Sequence, residues 1–172
     1  MNYRITGTGS CIPDNTKTNS DFLKNNFLDL DGNNIQSSNA EIIEKFKSIT
    51  GIVERRYAPD EINSSDLAAV AGSFAIKDSK LDKETLDYII VAHNTGDISC
   101  KSGQVDTLPS IASKVKAKLK IKNPNCVAYD IICGCPGWVE GVIQAKSFIK
   151  SGMAKKCLVI GCDTLSRILD EN

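Results

Sequence analysis

The 172-residue sequence has no excess of either charge: Lys and Arg total 21, and so do Asp and Glu. That balance removes the global pull toward nucleic acid or an anionic membrane. No apolar run approaches the length of a membrane span, and no signal-like apolar stretch follows Met1. The cytoplasm is the expected compartment. Repeats and low-complexity tracts are also missing. Histidine is nearly absent, His93 being the only one. A tetrahedral zinc site needs about four Cys or His ligands, usually as two spaced pairs. One C-x-C and one histidine do not supply them, so no metal is expected.

Cysteine, by contrast, is plentiful. The seven cysteines (11, 100, 126, 133, 135, 157 and 162) are an odd number without framework spacing. In a cytosolic chain these read as thiols, not disulfides. Cys126, Cys133, Cys157 and Cys162 sit in or beside apolar runs and are expected to be small core residues.

Along the chain, Tyr3 to Gly7 reads as a first strand that runs into the turn GTGSCIPDN. A helical pattern from Asn19 is interrupted by the polar LDLDGNNIQSSN. In EIIEKFKSIT, residues 41–50, the apolar positions Ile42, Ile43, Phe46 and Ile49 mark one helix face, and Gly51 ends it. Ser64-Ser65-Asp66 can cap a helix over LAAVAGSFAIKDS. LDYIIVA, residues 86–92, is a buried strand by length and β-branched content. Pro109 opens a helix over PSIASKVKAKL.

The last third alternates. CVAYDII (126–132) reads as a strand, Pro136 to Ser151 as a helix stopped by Gly152, and KCLVIGC (156–162) as a second strand. Strand, helix and strand make a βαβ unit with parallel strands and a right-handed crossover. The fold class is α/β with a mixed, largely parallel sheet and packed helices. Within PSIASKVKAKLKIK, the lysines 114, 116, 118, 120 and 122 form the one local charge run. They read first as a solvated helix face and second as a dock for an acidic carrier protein.

DIICGCPGW, residues 130–138, sets two cysteines one residue apart. A redox pair would usually be C-x-x-C. Cys135 follows an apolar strand and precedes Pro136, a residue favoured at the first helical position. That puts Cys135 at the N-cap, where orphan N–H groups and the positive end of the helix dipole stabilise a thiolate. Gly134 and Gly137 permit a sharp strand-to-helix turn. The arrangement is the thiol counterpart of a nucleophile elbow. Cys133 is expected to fill space beneath it. A reactive thiol and an unreactive strand-end cysteine both stay open on these grounds.

Six stretches then occur in one family's order: ITGTGSCIP, TGIVERR, LDYIIVAHNT, DTLPSIASKVKAKLKI, YDIICGCPGW and KSGMAKKCLVIGCDTLSRILD. Together they resemble the N-terminal half of a β-ketoacyl-[acyl carrier protein] synthase III, a thiolase-fold condensing enzyme. TGIVERR and TLSR favour the synthase III branch. The resemblance implies that residues 1–172 form one thiolase-like domain carrying the nucleophile, with the C-terminal catalytic half outside this chain. It also implies that Cys135 takes an acyl group from an acyl-CoA or acyl-carrier primer and passes it to malonyl-acyl carrier protein in decarboxylative condensation. No cofactor beyond the thioester substrate is implied, and the full protein would be a homodimer in fatty acid or related lipid synthesis. Leu108 falls where the family places a residue reaching the partner's acyl pocket. Arg167 matches an arginine that contacts the adenine end of CoA.

Lys45 and Ile49 depart from the family, standing where it has a tryptophan and an arginine that hold CoA. A primer delivered on a carrier protein fits that change. The family's catalytic His and Asn belong to its C-terminal half, which implies that this chain alone does not condense. His93 is not their substitute, and a satisfied structural histidine is expected there. The alternatives are a non-catalytic thiolase-like module that binds acyl chains or a partner, and acyl transfer or thioester hydrolysis without condensation.

Overall fold

The computed structural model describes residues 3–169, and the chain divides into two compact units. One comprises Pro13–Pro59 with Ile168–Asn172, the other Met1–Ile12 with Asp60–Arg167.

In the smaller unit, β1 (Asn15–Thr18) pairs antiparallel with β2 (Glu54–Tyr57), in register from Asn15↔Tyr57 to Thr18↔Glu54. Helix α1 (Asn39–Thr50) lies between them in sequence. Ser38 caps it: its Oγ accepts from Glu41 N–H, and the Glu41 carboxylate returns to Ser38 N–H at 2.8 Å. Such a reciprocal box satisfies two orphan donors. Gly51 closes the helix at φ +69°, a conformation that costs a side-chain-bearing residue more than glycine. Where a helix is expected from Asn19, only a 3₁₀ turn forms, Asn19–Phe22. The guanidinium of Arg55 stacks on Phe22 at 5.1 Å and donates to Asn19 Oδ1 at 2.9 Å. Lys45 and Ile49 both lie on α1, Ile49 well exposed.

The larger unit holds α2 (Ser64–Ser79), β3 (Tyr88–His93), β4 (Asp97–Ile98), β5 (Val105–Asp106), α3 (Ile111–Lys118), β6 (Val127–Ile132), α4 (Gly137–Ser151) and β7 (Cys157–Gly161). Its main sheet is wholly parallel, in the order β6-β3-β7. The expected βαβ unit is present, but β6 and β7 are not neighbours, because β3 lies between them. Antiparallel pairing among the described residues occurs at β1–β2, in the short β4–β5 hairpin and at an isolated Leu28–Asn34 bridge.

Central position explains the sequence of β3, since a strand covered on both faces reads as an unbroken apolar run. Ile89 and Val91 face a cluster that includes Ala68 of α2, Ile111, Ala112 and Val115 of α3, and Leu158 and Ile160 of β7. Ile90 and Ala92 face α4, where an ideal Cβ on Gly141 would lie 3.5 Å from Ile90 and one on Gly137 3.1 Å from Ala92. Full burial of an isoleucine contributes about 1.5–3 kcal/mol, and Ile89, Ile90 and Ile111 are all completely enclosed.

The first segment departs from expectation, as residues 3–12 form no strand. They run along α2 instead: an ideal Cβ on Gly7 would collide with Ala75 O, and one on Gly9 with Ala71 O. Thr8 N–H donates to Asp78 Oδ2 at 2.8 Å. Backbone lying this close to a helix leaves space for glycine only, and a helix offers no ladder to complete a strand.

Candidate active site

All three strands of the parallel sheet point the same way, so their carboxyl ends gather at one edge, the usual place for a ligand site in an open α/β sheet. β3 delivers His93 and Asn94 there, β6 delivers Cys133 to Cys135, and β7 delivers Cys162 and Asp163.

Beyond Ile132 the backbone bends at Gly134, whose φ is +63°. Gly137 N–H donates to Gly134 O at 3.0 Å, and Glu140 N–H to Pro136 O at 3.1 Å, which starts α4. Helix α4 then descends on the sheet through Gly137, Gly141 and Ala145, its buried positions. An ideal Cβ on Gly141 would come within 2.8 Å of Val159 Cγ1, so a small residue sets the helix-to-sheet distance.

The helix starts one residue later than the sequence suggests. Pro136, not Cys135, is the N-cap, with no side-chain cap bond, and Cys135 precedes it in the turn, exposed. Cys133 is exposed too, contrary to the packing role expected of it. The bend at Gly134 explains this, because the strand ends at Ile132 and Cys133 no longer follows the pleat into the core. Cys126 is buried as expected, whereas Cys157 and Cys162 are half-buried. Burial pushes the Cys157 thiol up to about 11 and the Cys162 thiol up to about 12.

His93 is enclosed and fully engaged. Gly96 N–H donates to its Nδ1 at 2.9 Å, so the ring proton sits on Nε2, which donates to Asp130 Oδ2 at 2.9 Å. With both nitrogens occupied, His93 has neither a lone pair nor a proton to offer Cys135. It is the satisfied structural histidine expected from the sequence. Asp130 also accepts from Ile111 N–H and Ala112 N–H, both at 2.7 Å, at the start of α3. The carboxylate thereby ties the strand of the candidate nucleophile to β3 and α3. Burial pushes Asp130 up, but the bonds from His93, Ala112 and Ile111 outweigh it and hold the carboxyl below its ordinary range.

Asn94 is the site residue that sequence reasoning missed. Its backbone N–H and its Nδ2 donate to the two oxygens of Asp163, at 2.9 and 2.7 Å. That clamp turns Oδ1 toward the turn before Cys135, 3.5 Å from an ideal Cβ on Gly134. The available signal was its place, first after the buried run YIIVAH.

Leu108 and Arg167 occupy other loops. Leu108 stands between β5 and α3, strongly exposed, joined to Pro109 by a cis peptide bond. α3 begins at Ile111 with Ser110 as its cap, two residues after the expected Pro109 start. Arg167 ends the 3₁₀ turn Leu165–Arg167 and donates to Asn63 Oδ1 at 2.8 Å and Ile98 O at 2.6 Å. Asp60 O and Ile62 O take further bonds from its Nη2. Nearby, Asn63, Asp97, Ser99, Gln104 and Asp106 line a cleft of about 320 Å³.

Three of the five lysines in the run are engaged, while Lys120 and Lys122 are exposed. Lys114 bridges Asp97 and Asp106 at 3.1 and 2.8 Å, Lys116 donates to Cys126 O at 2.7 Å, and Lys118 pairs with Asp66 at 2.6 Å. Among the described residues no group of three or more His, Cys, Asp or Glu could hold a metal ion. No helix among them is long and apolar enough to cross a membrane.

A parallel sheet, a strand-to-helix turn bearing an exposed cysteine and a glycine-seated helix fit the N-terminal half of a thiolase-like fold. The chain from Aquifex aeolicus VF5 described as 3-oxoacyl-[acyl-carrier-protein] synthase III superposes with a TM-score of 0.76 at 34% identity, covering 98% of this chain and 47% of that one. The corresponding Thermus thermophilus synthase gives a TM-score of 0.75 at 30% identity, covering 99% and 46%. Beta-ketoacyl-[acyl-carrier-protein] synthase III of Neisseria gonorrhoeae (strain NCCP11945) is 38% identical over 173 aligned residues, 100% of this chain and 47% of the relative. The model of the 3-oxoacyl-[acyl-carrier-protein (ACP)] synthase III family matches residues 129–172, which include Cys135 and Arg167. Along its whole length the chain is similar to the N-terminal half of the synthase III family. It spans about half the length of the curated relatives it matches.

Proposed function

We propose that this chain supplies the acyl-accepting half of a β-ketoacyl-acyl carrier protein synthase III, with Cys135 as the nucleophile. The observation that carries the reading is the exposed Cys135 in the turn from a parallel strand into α4. The Cys135 thiolate attacks the carbonyl of a primer thioester, an S–C bond forms, and the CoA or carrier thiolate leaves. Malonyl-acyl carrier protein then loses CO₂, its carbanion attacks the acyl-cysteine, and the Cys135 thiolate is released. Dividing the reaction through a covalent intermediate is ping-pong catalysis. The Cys135 N–H would be one oxyanion donor in the transfer step. No cofactor is needed beyond the thioester.

Leu108 limits primer length from one protomer of a homodimer to the next, and Arg167 faces the CoA end while bracing the 60–63 loop. The chain by itself, in the cytoplasm, forms the acyl-enzyme but does not condense it. Competitive labelling tests the nucleophile. With limiting iodoacetamide at pH 7, Cys135 carries the label ahead of its likewise exposed neighbour Cys133. Equal labelling of the two would count against an activated Cys135.

A further inference from the structure

The reading of Cys135 as acyl acceptor leaves the nature of the acyl group open, and Asn94 bears on it. Asn94 is the first residue beyond the central strand, on the edge where the nucleophile turn lies. Both of its N–H donors facing Asp163 are used, at 2.9 and 2.7 Å, one to each carboxylate oxygen. A carboxamide so held cannot flip, because reversing it would set Oδ1 against a carboxylate. Its Oδ1 is therefore an acceptor of fixed direction, 3.5 Å from the ideal Cβ position of Gly134, the residue before Cys135. No donor from the described residues takes it.

A half-buried acceptor fixed in place against the residue before Cys135, and left without a protein donor, favours a substrate that brings one. A saturated acyl group would instead desolvate the oxygen without replacing its hydrogen bond. Sites built to bond a substrate hydroxyl discriminate against the analogue lacking it, because the site's own polar group is then left unpaired. We propose that Asn94 is a specificity residue that accepts a hydrogen bond from the hydroxyl of a hydroxyacyl primer. The primer class for Cys135 is then a short 3-hydroxyacyl thioester, taken in preference to its saturated counterpart. In such a thioester the hydroxyl stands on the second carbon beyond the carbonyl.

The inference rests on the acyl-cysteine reading, and one competition experiment separates the two. The chain is incubated with equal amounts of butyryl-CoA and 3-hydroxybutyryl-CoA, and adducts on Cys135 are counted by peptide mass. Wild type is expected to favour the hydroxyacyl adduct by about three- to tenfold, the factor carried by one neutral hydrogen bond. In Asn94→Ala the ratio should fall to about one. Adducts without preference in wild type, or a preference that survives Asn94→Ala, would overturn the inference and leave the nucleophile reading standing. Absence of any adduct on Cys135 would overturn both. An absent wild-type preference overturns the inference even if the variant folds poorly.

Discussion

Asp130 and His93 lie 37 residues apart in the sequence, yet Nε2 of His93 donates to Oδ2 of Asp130 at 2.9 Å. This clip joins neighbouring strands at the end where β6 gives way to Cys133 and Cys135, and the same carboxylate holds the first two amides of α3. The only histidine of the chain thus serves to hold the candidate site's scaffold, with no proton to exchange with the thiol.

Asp130→Ala leaves three donors without their acceptor in a nearly closed space. An unsatisfied buried donor costs about 1–3 kcal/mol, so unfolding free energy should fall by at least about 2 kcal/mol in urea titrations at pH 7. A loss below about 0.5 kcal/mol would show that the clip is dispensable.

The same carboxylate gives a pH signature. Its folded-state value lies below the ordinary one, because the bonds from His93, Ala112 and Ile111 outweigh its burial. A depressed carboxyl contributes stability that is complete above its unfolded value, about 3.9, and is lost as pH falls through the folded value. Asp130→Asn does not titrate there. Its deficit relative to wild type should be largest at neutral pH and shrink between about pH 5 and pH 3. A deficit that is constant with pH would contradict the assignment.

Much of this architecture is legible in the residue pattern, for definite reasons. LDYIIVA announces β3 because a central strand is apolar on both faces, and Gly51 and Gly152 mark helix ends because both adopt positive φ. CGCPGW locates the turn of the candidate nucleophile to within one residue of the helix start. NTKT and ERRY are too polar to announce β1 and β2, whose pairing depends on backbone bonds across 36 or more residues. Cys133 looks like a core thiol only while the strand is taken to continue past Gly134. The aspartate in VAYDII and the asparagine after VAH carry no local signal of their partners, since His93 and Asp163 come from other strands.

Arg167→Ala should destabilise the protein without any ligand present. The guanidinium donates to Asn63, Ile98, Asp60 and Ile62, and loses all of them on truncation. A drop of about 2–3 kcal/mol is expected from bonds of this charge-assisted kind, with Arg167→Lys only partly restoring it, since an ammonium cannot reproduce the planar fork. Unchanged thermal stability in Arg167→Ala would mean that the loop is held by other groups.

Gly141→Ala tests how α4 is seated. Alanine has the better helix propensity by about 1 kcal/mol, but its Cβ would press on Val159 Cγ1 at 2.8 Å. Overpacking of this kind typically costs about 1–3 kcal/mol, so the variant should be no more stable than wild type and most often less. A clear gain in melting temperature would show that the helix can move off the sheet freely.

Acylation of Cys135 reaches the central claim most directly. The purified chain is incubated with short acyl-CoA and acyl-carrier thioesters, and its intact mass and peptides are read. One acyl group should be gained, mapped to Cys135, released by hydroxylamine and absent from Cys135→Ser. A wild-type chain that gains no acyl group while Cys135 remains open to alkylation would contradict the claim, as would an adduct that persists in Cys135→Ser.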